Sequence, residues 1–326
     1  SGGKQLMEHS LALSLSHATE VGAMEAARAA GFGDKNLADE KATEAIRNYL
    51  NTIDFSGRVV IGEGERDEAP MLYIGEKLGK GKGRDVDIAV DPLENTNATS
   101  SFGPRAISVL AAAEKDGLFH APDMYMEKLV VGPEAAGKVH LDETPKKNLQ
   151  VVAKALGRDI RDLVVVILDR DRHEELIAKV REAGARVRLI PDGDLLPGIA
   201  VAMRGSGEHV LMGVGAAPEG VMTAAALRII KGEMQARFWP KNKEEEARLK
   251  KMGGDAKKIY KQEDLASGKN IIFCATGVTD GDILRGVRFF GGGARTHTLV
   301  MSNQTGKIRF VDTTHVFDKK VIEYRL

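Results

Sequence analysis

The chain has 326 residues, 43% of them hydrophobic, with 47 basic residues against 47 acidic ones. That length holds one large domain or two ordinary ones, and the charge balance argues against nucleic acid or an anionic membrane as the main partner. Cys274 is the single cysteine, which excludes an internal disulfide and fits a cytoplasmic protein, and no apolar run is long enough to span a bilayer.

Taken in chain order, residues 5–30 carry Leu11, Leu13, Ala18, Val21, Met24 and Ala27 at helical spacing, and Gly31-Phe32-Gly33-Asp34 ends that helix. A second helix is expected from Asp39, with Ala42, Ala45, Ile46, Tyr49 and Leu50 as its apolar face. Strands follow near 58–62, 86–91 and 106–113, and Lys115-Asp116-Gly117 suggests an antiparallel return. From residue 163 the order changes to strand, helix, strand, helix, strand, helix through 234, which implies parallel strands. Residues 241–263 are dense in Lys and Glu and read as a solvated excursion, and closing strands are expected at 271–275, 297–301 and 308–312. The change of pattern suggests a boundary near residue 150, between parts 1–150 and 151–326.

The chemistry concentrates where apolar runs end in acids. Val59-Val60-Ile61 leads into Gly62-Glu63-Gly64-Glu65, and Val86 to Val90 leads into Asp91-Pro92-Leu93-Glu94-Asn95-Thr96. Buried carboxylates cost several kcal/mol each unless compensated, and Lys and Arg are scarce in these segments. A divalent cation is the natural compensator, and oxygen ligands favour Mg²⁺ or Mn²⁺ over zinc. Asp91 and Glu94 can meet around one site, with Thr96 opening the next element beside it. Read singly, each segment is equally a polar turn. Asp39 reads first as a helix N-cap and second as a ligand.

Later strand ends carry Asp169-Arg170-Asp171-Arg172, Pro191-Asp192-Gly193-Asp194 and Gly213-Val214-Gly215-Ala216-Ala217-Pro218-Glu219. Arg170 and Arg172 suit a second phosphate or a solvated helix start. Asp192 and Asp194 suit sugar hydroxyls or a cap. The glycine-rich stretch is either a phosphate loop or tight strand–helix packing. Tyr125 either reaches a phosphate or packs. Cys274 and His297 read as structural.

These motifs together resemble the class II fructose-1,6-bisphosphatases, a branch of the metal-dependent, lithium-sensitive sugar phosphatases. The resemblance rests on Gly33 to Asp39, Ile61 to Glu65, Asp67 to Glu76, Ala121 to Leu129, Ile190 to Asp194, Gly215 to Gly220 and Ala275 to Thr279. It implies a layered α/β/α/β/α fold with two mixed sheets, a homodimer or homotetramer, and Mn²⁺ or Mg²⁺ as cofactor. The implied reaction is hydrolysis of the 1-phosphate of fructose 1,6-bisphosphate in gluconeogenesis. It also implies metal-binding roles for Asp39, Glu63, Asp91, Glu94 and Glu219. Thr96 would sit beside the scissile phosphate, with Asp39 or Glu63 orienting it. Tyr125, Arg170, Arg172, Asp192 and Asp194 would hold the sugar and its other phosphate; Glu94, Asn95, Gly193 and Gly215 are grouped with them. The family usually has glycine where this chain has Asn95. That suggests a left-handed backbone, which Asn tolerates better than most residues.

Overall fold

A computed structural model describes residues 2–317. The chain opens with α1 (Gly2–Arg28), α2 (Lys35–Leu50), β1 (Ser56–Ile61), the two-residue β2 (Lys77–Leu78), β3 (Asp85–Glu94), α3 (Thr96–Ser100) and β4 (Ile107–Glu114). Next come β5 (Tyr125–Val131), α4 (Pro145–Leu156), β6 (Val164–Leu168), α5 (Glu174–Glu182), β7 (Arg186–Ile190) and α6 (Leu195–Ala200). These are followed by β8 (Val210–Ala216), α7 (Ala217–Ile230), β9 (Glu233–Trp239), α8 (Lys243–Lys251), β10 (Tyr260–Lys261) and α9 (Gln262–Leu265). It closes with β11 (Ile271–Gly277), β12 (Arg288–Phe290), β13 (Gly293–Ser302) and β14 (Lys307–Val316).

The chain forms two compact units. The first takes the residues up to Lys115 and those from Asn270 onward; the second is Asp116–Lys269. The chain therefore crosses twice, where the sequence pattern suggests one change near residue 150. The closing strands return to the first unit because β11 pairs with β4, and β13, with β12 and β14 beside it, adds to β11. The class is α/β with two mixed sheets, as expected.

The first sheet has eight strands in the order β12-β13-β11-β4-β3-β1-β2, with β14 paired to β13. Only β1 and β3 run parallel there among the described pairs. Apolar residues from both sides of the chain's path meet on it, including Leu15, Ile46, Leu50, Phe55, Ile88, Leu110 and Cys274. Burying one such large side chain contributes roughly 1.5–3 kcal/mol. Of the expected face of α1, Ala18 and Met24 are buried, as are Ala12, Leu15, Thr19, Ala23 and Ala26, whereas Leu13 is exposed. Spacing alone cannot fix which of two adjacent stripes faces inward. Cys274 is fully buried, as a small core residue.

The second sheet has six strands, β10-β9-β5-β8-β6-β7. β6 pairs in parallel with β7 and β8, as the alternating pattern implies. The Lys115-Asp116-Gly117 turn makes no hairpin: β4 pairs with β3 and β11, and β5 joins the second sheet. Within 241–263 the solvated reading holds for α8, where only Leu249 is buried. It fails at Tyr260, which is buried against Phe119 and Phe238 with ring centroids 5.5 and 5.2 Å away.

Candidate active site

In the first unit, Asp34 and not Asp39 is the N-cap of α2: its Oδ1 accepts from the Leu37 backbone N at 3.0 Å. The helix starts four residues earlier than expected, so Asp39 lies inside it and its carboxylate is released from capping. Glu63 stands after β1 on a segment that a second stretch props up. The Glu63 backbone N donates to Leu72 O at 2.9 Å, and the Ile74 N to Gly64 O at 2.8 Å. Gly62 is required there, since a Cβ would meet Leu72 O at 2.1 Å. Buried Glu76 braces the prop by accepting from Arg47 Nε at 3.0 Å and from Leu72 N at 3.2 Å.

Asp91 and Glu94 occupy the end of β3. Asp91 pairs with Val109 and Glu94 with Ile107, so three steps on β3 oppose two on β4. This bulge re-aims the side chains and accommodates Pro92, which has no N–H for the ladder. Asn95 follows with φ 73° and ψ 57°, the left-handed conformation that the family's glycine suggests. Its side chain compensates by accepting from Ala98 N at 3.4 Å, and Thr96 opens α3.

The acids of this unit repel one another. The Asp39 and Glu63 carboxyls share a hydrogen bond. Burial, with Asp39 and Asp91 close by, pushes Glu63 up to about 9, and burial also raises Asp39. The structure thus brings Asp39, Glu63 and Asp91 into one electrostatic group, with buried Glu94 across the bulge. An all-carboxylate set of this kind fits a hard divalent cation.

The second unit arranges its charges differently. Arg170 donates to Asp192 Oδ1 at 2.6 Å and also to the Pro191 carbonyl, joining the ends of β6 and β7. Arg172 donates to Val214 O at 2.7 Å and lies 4.6 Å from the centroid of the Tyr125 ring, where a cation–π contact forms. Lys128 donates to Asp194 Oδ2 at 2.9 Å, both groups being buried. Glu219, in the first turn of α7, has an Oε2 shielded from solvent and without a hydrogen-bond partner. Burial raises its pKa, opposed by Lys128.

The glycine-rich stretch is not a loop. Gly213 to Ala216 is strand, paired with Tyr125 to Lys128, and α7 begins at Ala217. Gly215 is there for close packing, because a Cβ would meet Asp194 Oδ2 at 2.3 Å. Gly193 provides the turn, at φ 76°. Two further residues matter. Lys128, on β5, was hidden because a buried lysine with an acid partner looks like a loop residue. His173, whose Nε2 accepts from Val214 N at 2.8 Å and whose Nδ1 meets Leu168 O at 2.7 Å, carries no sequence signal.

A profile of the family described as bacterial fructose-1,6-bisphosphatase, glpX-encoded, matches residues 9–315. A Synechococcus protein (strain JA-3-3Ab) named D-fructose 1,6-bisphosphatase class 2/sedoheptulose 1,7-bisphosphatase is 50% identical over 337 residues, covering 96% of this chain and 97% of that one. Proteins of the same name from Gloeobacter violaceus and Thermosynechococcus vestitus are each 46% identical; the first covers 96% of this chain and 97% of its own, the second 98% and 100%. Among the described residues no helix is long and apolar enough to cross a membrane.

Proposed function

The chain belongs to the bacterial, class II fructose-1,6-bisphosphatases, and from that membership we propose that it hydrolyses the 1-phosphate of fructose 1,6-bisphosphate to fructose 6-phosphate and phosphate. The activity class is phosphoric monoester hydrolysis. The relatives' shared name also favours sedoheptulose 1,7-bisphosphate as a second substrate. The finer reading places the reaction in gluconeogenesis, in the cytoplasm, in a homodimer or homotetramer.

The observation that carries the reading is the carboxylate group of Asp39, Glu63 and Asp91, in which burial and the Asp39 and Asp91 charges push Glu63 up to about 9. In the first unit, Asp39, Glu63, Asp91 and Glu94 would hold Mn²⁺ or Mg²⁺; in the second, Glu219 is the candidate metal ligand. Such a cation supplies charge neutralisation at the phosphoryl oxygens and a lowered pKa for an attacking water.

The chain's own residues supply the rest. In the cation-free protein, Glu63 is pushed up to about 9 and shares its proton with Asp39 in their hydrogen bond. Thr96 offers its hydroxyl to orient the attacking water and relay its proton to that pair. Asn95 keeps the turn that presents Thr96 directly after Glu94. Arg170 and Arg172 bind the second phosphate, each from a position already fixed by a carbonyl or carboxylate partner. Asp192 and Asp194 accept from sugar hydroxyls, and Tyr125 flanks Arg172.

A substrate panel with Mn²⁺ tests the reading. Fructose 1,6-bisphosphate and sedoheptulose 1,7-bisphosphate should release phosphate far faster than an inositol monophosphate or fructose 6-phosphate. Faster release from inositol monophosphate would move the assignment to another branch of the superfamily.

A further inference from the structure

Apart from the acids at the strand ends, the first unit carries a second group of potential metal ligands, on the outer part of its sheet. His17 and Glu20 lie three residues apart on α1 and so share a helix face. His315 lies near the end of β14. Glu20 Oε2 is 3.5 Å from His17 Nδ1 and 3.1 Å from His315 Nε2. One ligand atom from each residue falls within 4.8 Å of the other two.

The Glu20 side chain is buried, that of His315 is 9% exposed and that of His17 is 41% exposed. The 3.5 Å separation is longer than a good hydrogen bond. Two imidazoles therefore converge on one buried carboxylate oxygen without both bonding it well. Bonds of about 2.0–2.2 Å to a tetrahedral ion separate neighbouring ligand atoms by roughly 3.3–3.5 Å, and both measured separations lie close to that.

We propose that His17, Glu20 and His315 form a second divalent-metal site, of the zinc class, distinct from the carboxylate site. The donor set decides the class: two imidazoles and one carboxylate suit Zn²⁺ or Co²⁺, whereas Mg²⁺ and Mn²⁺ favour oxygen alone. The surroundings fit. Thr296 Oγ1 lies 2.8 Å from His315 Nε2 and must turn its hydroxyl aside when that nitrogen ligates. Tyr49 packs edge-on to His17, centroids 4.6 Å apart, and fixes the ring. His17 provides the way in from solvent. A bound ion would clip α1 to the β13–β14 hairpin, since the ligands come from both. The proposal does not rest on the phosphatase reading.

The test is Co²⁺ substitution in chelator-stripped full-length protein, read by visible absorption. Wild type and Asp91→Asn should both show the intense band of four-coordinate Co²⁺, which Zn²⁺ displaces. His17→Gln and Glu20→Gln should lose it, and their Zn²⁺ affinity should fall by more than the 10–100-fold that loss of a second-sphere partner costs. His17 lies on the exposed side of α1, so His17→Gln keeps the test usable if Glu20→Gln does not fold. A wild type with no such band, a band that persists in folded His17→Gln, or one lost in folded Asp91→Asn would overturn the proposal.

Discussion

The substrate acids predicted in the second unit and the carboxylate group of the first are handled in opposite ways. In the second, each acid of the predicted substrate set has a cation within reach: Asp192 has Arg170 at 2.6 Å, and Asp194 has Lys128 at 2.9 Å. In the first, burial and the neighbouring Asp39 and Asp91 raise the proton affinity of Glu63, and burial raises that of Asp39. The contrast recurs within one strand. Asp87 of β3 receives a bidentate pair from Arg58, at 3.0 and 2.8 Å, whereas Asp91, four residues on, joins the carboxylate group. Internally neutralised acids serve as fixed scaffolding. Acids left to repel one another mark the place where an external cation belongs.

The largest effect that could break this comparison is on turnover. Thr96→Ala should lower kcat by about 10²–10⁴-fold, the usual scale for a lost proton relay, with KM little changed. Thr96→Ser should recover part of it. A Thr96→Ala enzyme with wild-type kcat in steady-state phosphate release removes Thr96 from the mechanism.

Stability comes next. Lys128→Ala leaves Asp194 buried without its cation and should cost about 3–5 kcal/mol in denaturant unfolding. A cost below about 1 kcal/mol would show that the second unit's neutralisation is not structural.

A pH series sharpens the contrast from the other side. Glu63 is raised from the ordinary 4.5 to about 9. In metal-free protein the native state therefore holds a proton that the unfolded chain releases. Its stabilising contribution is complete below the ordinary carboxylate range and is lost as pH rises through about 9. Thermal midpoints of metal-free wild type should fall across that window, and Glu63→Gln should flatten the fall. An equal slope in both proteins would mean that Glu63 is not the group responsible.

The smallest effect concerns Asn95. Asn95→Gly removes the left-handed strain but also the side-chain bond to Ala98 N and adds freedom to the unfolded chain. The net change in unfolding free energy should stay within about 1 kcal/mol, and a larger loss would give the Asn95 side chain a role of its own.

Much of this was legible in the sequence where period and chemistry coincide. β1, β3 and β4 carry apolar runs, and the acids that follow those of β1 and β3 stand out because few basic residues accompany them. The alternating pattern from residue 163 gave the parallel β6, β7 and β8. β5 and β9 were hidden because polar residues interrupt them. Lys128 faces Asp194, while Glu233 and Gln235 accept from the loop N–H groups of Gly137 and Leu141 at 2.9 and 2.8 Å. Buried polar side chains with such partners look, in one dimension, like loop residues. At Gly213 to Ala216 the sequence left a phosphate loop and tight packing both open, and the structure shows the packing, with glycines demanded by His173 and Asp194. The Asp34 cap lay five residues before the acid that seemed to need one, and Asp39 looked structural for that reason. The return of the chain at Asn270 has no local signal, because sheet membership is decided by distant partners.

The central claim is that the Asp39, Glu63 and Asp91 group is a cation site holding displaceable protons. Calorimetric titration of Mn²⁺ into metal-free protein, in two buffers of different ionisation enthalpy, tests it directly. The account predicts binding coupled to proton release near neutral pH, with weaker binding and less release in Glu63→Gln. Mn²⁺ binding with no proton release, or equal binding by Glu63→Gln, would contradict it.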